Sequence, residues 1–311
     1  MFEKEMSVAI DPIDGTKGYI RGDQYAVALG LIEDGEVVLG VLGCPNLPVD
    51  GLDGGDCGVI LSACRGGGTF TERQGAGSRG QGWGESLKGG KAERLKAETG
   101  NAEIGNAERQ TSNIERSMSH GERVERGTLS VESGGLGNLG LGTGERESRS
   151  LKLAGRGGGT PAPERGERET FGAGKQRVFV SGEGDPTKAV FCESVESAHT
   201  AHGVSADIVK ALGVVVEPAR IDSQCKYAVV ARGDAGVYMR LPTRADYEEK
   251  IWDHAAGVRI VEEAGGRVTD VAGKPLDFSR GRTLRANKGV IVTNGLLHEA
   301  VLGEIGKKAE N

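Results

Sequence analysis

The stretch "DPIDGTKGY", residues 11–19, decides how the rest of the chain is read. Two carboxylates, Asp11 and Asp14, flank a proline and an isoleucine, and Gly15-Thr16 follows. The run Ser7–Ile10 ahead of it reads as a short buried strand. A strand end that splays two carboxylates beside the Ile13 carbonyl offers hard oxygen ligands of the kind Mg²⁺ takes. Pro12 fixes the backbone so that both carboxylates can converge. Gly15 and Thr16 then open a helix, whose first N–H groups favour a phosphate. Taken as a bare Asp-Gly pair, the stretch reads as an ordinary turn. A calcium-binding EF-hand loop is excluded, because the twelfth position counted from Asp11 is Gly22, where a bidentate Glu is needed.

Outward from this stretch the pattern is strand-rich. Tyr25–Ile32 and Glu36–Leu42 are apolar runs separated by Glu33-Asp34-Gly35, a hairpin signal. Val59–Cys64 is a further strand, ending at Gly66-Gly67-Gly68. The pattern resumes at Arg177, with strands expected at Phe191–Val195, Val237–Leu241 and Val290–Thr293. Helices are expected at Ser205–Leu212, Ser223–Ala231, Trp252–Ala264 and Leu296–Ile305, the third closed by Gly265-Gly266. Strands first and mixed elements later predict an α+β fold, an antiparallel-sheet domain followed by a smaller α/β domain.

Between the two halves the composition changes. Residues 71–176 hold 24 of the 53 glycines, and Val, Ile, Leu and Phe make only 13 of those 106 residues. Such a segment buries too little apolar surface to offset its ordering entropy, so residues 73–176 read as a disordered insertion. The 17 Lys/Arg against 15 Glu of residues 71–176 argue against nucleic-acid binding there. The predicted organisation is therefore residues 1–72 plus 177–190 as a metal-binding sheet domain, the insertion, and residues 191–311 as an α/β domain. Five cysteines without a C-x-x-C pair point to a reducing, intracellular compartment, cytoplasm or organelle. Nothing approaches a membrane span in length, and a monomer is expected.

Two further clusters carry chemistry. In "WDHAAG" (residues 252–257), Asp253 opens a helix, and the small residues behind it let another backbone approach closely. Asp253 would then face a cleft instead of serving only as a helix cap. In Asp222-Ser223-Gln224-Cys225-Lys226-Tyr227, with Arg240 downstream, a Lys and an Arg suit a phosphate, one as a point charge and one bidentately. Two other signals are set aside. His199 and His202 have metal-like spacing but no third ligand nearby. Gly172-Ala173-Gly174-Lys175 lacks both the first glycine and the Ser/Thr of a phosphate-binding P-loop.

Together, "DPIDGT" and the distant "WDHAAG" resemble the two signature motifs of the inositol monophosphatase superfamily of Mg²⁺-dependent, lithium-sensitive phosphatases. The flanks "DSQCKYAVVARGDAGVYMRLP" and "YEEKIWDHAAG" look like its 3′(2′),5′-bisphosphate nucleotidase branch. Residues 8–70 and 178–304 carry the resemblance. It implies a layered α/β/α/β/α fold and removal of the 3′-phosphate of 3′-phosphoadenosine 5′-phosphate by two-metal activation of water. By position, Asp11, the Ile13 carbonyl, Asp14 and Asp253 would hold Mg²⁺. Asp14 and Thr16 would serve catalysis, and Thr16, His199, Ser223, Lys226, Arg240 and Asp253 would contact the substrate.

The resemblance also implies a long region ahead of the first motif, bearing an acidic ligand within a Glu-Glu pair and a catalytic Asp. Here ten residues precede Asp11, and Glu3 and Glu5 lie too close to it to substitute. The chain is accordingly expected to be incomplete at its N-terminus and weakly active or inactive. Two alternatives stay open at this point: an inositol-phosphate phosphatase, and an inactive nucleotide-binding remnant.

Overall fold

The computed structural model describes residues 5–52, 55–74, 170–171, 174–195, 202–244 and 246–309. The chain divides into two compact units, and all of these residues fall in the first, made of Met1–Gly75 and Gly159–Asn311. The expected disorder of residues 73–176 concerns a stretch lying almost wholly outside the described residues.

The first sheet has seven antiparallel strands in the order β1-β2-β3-β4-β5-β7-β6. They are β1 (Met6–Asp14), β2 (Ala26–Glu33), β3 (Glu36–Pro48), β4 (Cys57–Cys64), β5 (Gly68–Arg73), β6 (Thr170–Phe171) and β7 (Lys175–Val178). Asp34 and Gly35 both take positive φ, 53° and 80°, so the β2–β3 turn is of the tight type whose twist matches the strands. A short helix α1 (Thr16–Arg21) follows β1. The second sheet has five strands in the order β11-β12-β10-β8-β9. These are β8 (Phe191–Glu193), β9 (Ala219–Arg220), β10 (Val237–Arg240), β11 (Arg267–Thr269) and β12 (Val290–Thr293). The pairs β8–β9 and β8–β10 are parallel; β10–β12 and β11–β12 are antiparallel. Between the sheets run α3 (Cys225–Ala231) and α4 (Ala255–Glu263), while α2 (His202–Ala211) and α5 (His298–Ala309) pack on the far face of the second sheet. The expected antiparallel sheet followed by a mixed α/β part is what folds.

One irregularity matters most. In a regular strand, residues three apart point to opposite faces. Asp11 pairs with Ala28 and Asp14 with Ala26, so Pro12 and Ile13 together oppose the single residue Val27. This β-bulge inserts one residue and returns Asp14 to the face that Asp11 occupies. That face is the inner one, since Ala26 and Ala28 are buried. Pro12 is tolerated because it sits in the bulge of an edge strand, where its missing N–H breaks no ladder bond.

The inner face is covered by α4, and the approach is close because the contacting residues are small. A Cβ on Gly30 would lie 2.8 Å from the Ala255 Cβ, and one on Gly40 would lie 2.5 Å from the Ala256 carbonyl oxygen. On the other side of α4, Gly257 leaves room for the Tyr227 ring, which a Cβ would meet at 2.3 Å. Every residue from Ala255 to Val261 is buried as a result. Arg259 is carried inward too, and is satisfied there: its Nε donates to the Val37 carbonyl at 2.6 Å and its guanidinium meets Glu263 at 3.4 Å. Glu263 in turn accepts the Gly66 and Gly68 N–H groups, which locks the helix end to the β4–β5 turn.

Two expected helices are corrected. Trp252–Ala264 is not one helix: a 3₁₀ turn, Ile251–Asp253, ends at His254, whose φ of −135° and ψ of −35° interrupt the helical path, and α4 starts at Ala255. His254 is drawn out of helical geometry to bury its ring between Tyr227 and Glu249. Likewise Ser223 stands outside α3 with φ of 63°, packed on the equally left-handed Gly15.

Replacing Gly40 by Ala should lift α4 from β3 and lower stability by about 1–3 kcal/mol, the usual cost of overpacking. A urea unfolding midpoint shared with the unaltered chain would show that the approach is not tight.

Candidate functional site

The bulge and the 3₁₀ turn meet at one place. The Asp11 carboxyl is pushed up to about 6, first by burial and then by the charge of Asp14. Asp253 is pushed up to about 8, by burial, by Asp14 and by Asp11, against the pull of Arg240. Asp14 is also raised by burial, while Lys226, the Gln224 N–H and Arg240 oppose the shift. Three carboxylates therefore sense one another in a partly desolvated pocket, and the cations nearby do not neutralise them fully. This is the charge imbalance that a bound cation corrects.

Local hydrogen bonds fix the ligand atoms. Asp11 Oδ1 accepts the Ile13 N–H at 3.1 Å, which holds the bulge. The Thr16 hydroxyl donates to the Ile13 carbonyl at 3.2 Å. Asp14 Oδ2 accepts the Gln224 N–H at 2.5 Å. Two carboxylates and a carbonyl are thus presented by four consecutive residues, and Asp253 is added by the turn before α4.

The cations around the site are tethered. Lys226 is buried, and its Nζ donates to the carbonyls of Ile221 and Ser223 at 3.1 and 2.8 Å. Burial lowers its pKa and Asp14 raises it again. The Ser223 hydroxyl donates to the Asp222 carbonyl at 2.6 Å and accepts the Cys225 N–H at 3.2 Å. Arg240 lies 2.8 Å from Glu249 and 3.8 Å from Asp253. Of the residues expected at the site, Asp11, Ile13, Asp14, Thr16, Ser223, Lys226, Arg240 and Asp253 are gathered here. His199 lies outside the described residues.

The sequence reading passed over a buried relay behind Arg240. The Tyr227 hydroxyl bonds His254 Nδ1 at 2.7 Å, and His254 Nε2 faces Glu249 at 3.3 Å. Burial alone would raise Glu249, yet the hydrogen bond and charge of His254, with Arg240, hold it down at about 2. Glu249, Asp253 and His254 bring their ligand atoms within 4.8 Å of one another. They are nonetheless a poor cation trap, because Arg240 already neutralises Glu249 and both imidazole nitrogens are engaged. The signal available in the sequence was an acid, Glu249, four residues ahead of Asp253. Gln224, between the noted Ser223 and Lys226, was also passed over.

All five cysteines are free thiols, as the absence of a disulfide framework predicts. No helix among the described residues is long and apolar enough to cross a membrane.

Both the sequence and the fold have known relatives. Residues 2–136 and 167–310 match the inositol monophosphatase family. A 3′(2′),5′-bisphosphate nucleotidase of Emericella nidulans is 36% identical over 302 residues, covering 96% of this chain and 62% of that protein. One of Oryza sativa is 37% identical over 293 residues, covering 94% and 57%. A 3′,5′-bisphosphate nucleotidase of Arabidopsis thaliana is 37% identical over 298 residues, covering 95% and 60%. The chain thus spans about three fifths of the length of these curated relatives. Among solved structures, the Thermotoga maritima IMPase superposes with a TM-score of 0.51 at 19% identity, covering 100% of this chain and 72% of that one. An inositol monophosphatase from Anabaena gives 0.51 at 17% identity, covering 97% and 72%. These structures share the fold.

The raised carboxyls have a consequence for stability. A carboxyl whose folded pKa lies above its unfolded value favours the folded state while protonated, and that contribution is lost as pH rises through the folded pKa. Buried His254 and His298, both lowered, act in the opposite sense below about pH 6.5, so variants are best compared at each pH. Without divalent cations, Asp253→Asn should melt higher than the unaltered chain, and the difference should widen from about pH 5 to about pH 9. A difference that is flat or shrinks over that range would mean that burial and the neighbouring carboxylates do not hold Asp253 protonated.

Proposed function

The chain belongs to the inositol monophosphatase family, and from that premise we propose that it is a metal-dependent phosphatase acting on a 3′(2′),5′-bisphosphate nucleotide such as 3′-phosphoadenosine 5′-phosphate. The observation that carries the reading is the meeting of Asp11, Asp14 and Asp253, which share one under-neutralised pocket although Asp14 and Asp253 lie 239 positions apart in the chain. The substrate class rests on the printed names of the relatives that are 36–37% identical.

The donor set suits a hard cation. Asp11, Asp14, Asp253 and the Ile13 carbonyl offer oxygen alone, the choice of Mg²⁺ over softer metals. Bound there, Mg²⁺ would polarise the phosphate ester and acidify a water beside it. The chain's own residues do the positioning. The bulge keeps Asp11 and Asp14 on one face, and the Gln224 N–H keeps Asp14 from turning away. The Thr16 hydroxyl, while donating to the Ile13 carbonyl, keeps lone pairs that can accept a hydrogen bond from the attacking water and orient it. Arg240 stays charged at any working pH and can take a phosphate oxygen in a planar fork. Lys226 acts through its charge, since two of its three N–H bonds are spent on its own turn. Ser223 would complete the nucleotide side of the pocket, and His199, which lies outside the described residues, is proposed as a substrate contact from the resemblance alone.

Calorimetry at millimolar Mg²⁺ with 3′-phosphoadenosine 5′-phosphate and with inositol 1-phosphate separates the nucleotide reading from the inositol one. The nucleotide should bind at least about tenfold more tightly, a gap of about 1.4 kcal/mol. Release of inorganic phosphate should leave AMP, and should be lost with a chelator or in Asp14→Asn. Equal or reversed affinity would transfer the chain to the inositol phosphates, and nucleotide binding with no release in any metal would make it a binding protein.

A further inference from the structure

Gln224 makes three hydrogen bonds that join the two halves of the pocket. Its N–H donates to Asp14 Oδ2 at 2.5 Å. Its side-chain amide reaches the other motif at two points: Nε2 donates to the Trp252 carbonyl at 2.9 Å, and Oε1 accepts the Gly257 N–H at 3.1 Å. Those two points bracket Asp253. The side chain is buried, with 2% of the residue exposed.

The reason both ends need a partner lies in the broken helix. The first N–H groups of any helix lack an acceptor within it, and a capping side chain normally supplies one. At the start of α4 the capping position is His254, which makes no side-chain capping bond. Its ring is spent on Tyr227 and Glu249 instead. Gly257 is the third helical residue, so its N–H is one of those orphans, and Gln224 Oε1 stands in for the missing cap. The Trp252 carbonyl lies on the 3₁₀ turn ahead of the break, and Gln224 Nε2 gives it a donor. An amide both donates and accepts, as this junction requires.

Building on the metal-site reading above, we infer that Gln224 is the positioning residue that sets Asp253 against Asp14. Its backbone holds one carboxylate and its side chain holds the turn carrying the other, so this one residue ties the two motifs together in addition to the packing of α4 on the sheet. Gln224 needs no contact with substrate or cation for this. Side chains that orient ligands in this way commonly govern metal affinity by 10–100-fold.

The test uses the full chain and Mn²⁺ alone as probe, titrated by electron paramagnetic resonance well below the melting temperature. Gln224→Met keeps the volume and the backbone N–H but removes both amide bonds. It should fold with an unchanged circular dichroism spectrum, and bind Mn²⁺ about 10–100-fold more weakly. Asp253→Asn serves as the reference loss. Gln224→Asn keeps the amide one methylene short of spanning both points. It should also bind at least several-fold more weakly, and it decides the matter if the Met variant does not fold. A folded Gln224 variant with wild-type Mn²⁺ affinity, beside a weakened Asp253→Asn, overturns the inference and leaves the metal site standing. Absence of Mn²⁺ binding by the unaltered chain, or an unweakened Asp253→Asn, removes the metal-site reading and this inference with it.

Discussion

The candidate site depends on one extra residue in an edge strand. Without the bulge at Pro12-Ile13, Asp11 and Asp14 would face opposite sides of the sheet. One would then point at solvent and the other at α4, and no shared pocket would exist. The bulge is compatible with Pro12 because the strand is an edge, and its Asp11–Ile13 bond holds it closed. A local break in the ladder is what turns a hydrophobic sheet face into a polar corner.

That corner becomes a site only because α4 lies unusually close to the sheet. Gly30 and Gly40 on the strands meet Ala255 and Ala256 on the helix with no room for a further methyl group. Larger residues at any of these places would move the 3₁₀ turn outward and carry Asp253 away from the bulge. The small residues of the second motif therefore do their work in packing, and the single Asp beside them does it in chemistry. The same closeness removes water and raises the three carboxyls above their ordinary range.

The basic side of the pocket is organised by a different rule. Arg240 and Lys226 are held by partners before any ligand arrives, Arg240 by Glu249 and Lys226 by two backbone carbonyls. Glu249 in turn is anchored by His254, and His254 by Tyr227. A buried charge is costly unless it is paired and hydrogen-bonded, and this relay pairs each member. It also keeps Arg240 mainly on Glu249, at 2.8 Å, so that Asp253, at 3.8 Å, is not wholly neutralised by it.

Much of this was legible in the sequence. Apolar runs marked the early strands, Asp34-Gly35 marked their hairpin, and the resemblance carried by the two acidic motifs grouped Asp11, Asp14 and Asp253. Such features are local, or are short patterns whose chemistry survives without coordinates. The bulge was not legible, because a one-residue slip appears only when a strand is laid against its neighbour. Nor was the break at His254, since the pattern from Trp252 to Ala264 is helical throughout and only burial of the imidazole between Tyr227 and Glu249 interrupts it. Glu249 and Gln224 were passed over for the same reason: a polar residue in a sequence shows its bonding capacity but not its partners. The sequence by itself determined the order of strands and helices and the acids of the two motifs. Only the tertiary structure decided that those acids face one another, because their meeting depends on a bulge, four small residues in contact and one buried amide, which bring together positions far apart along the chain.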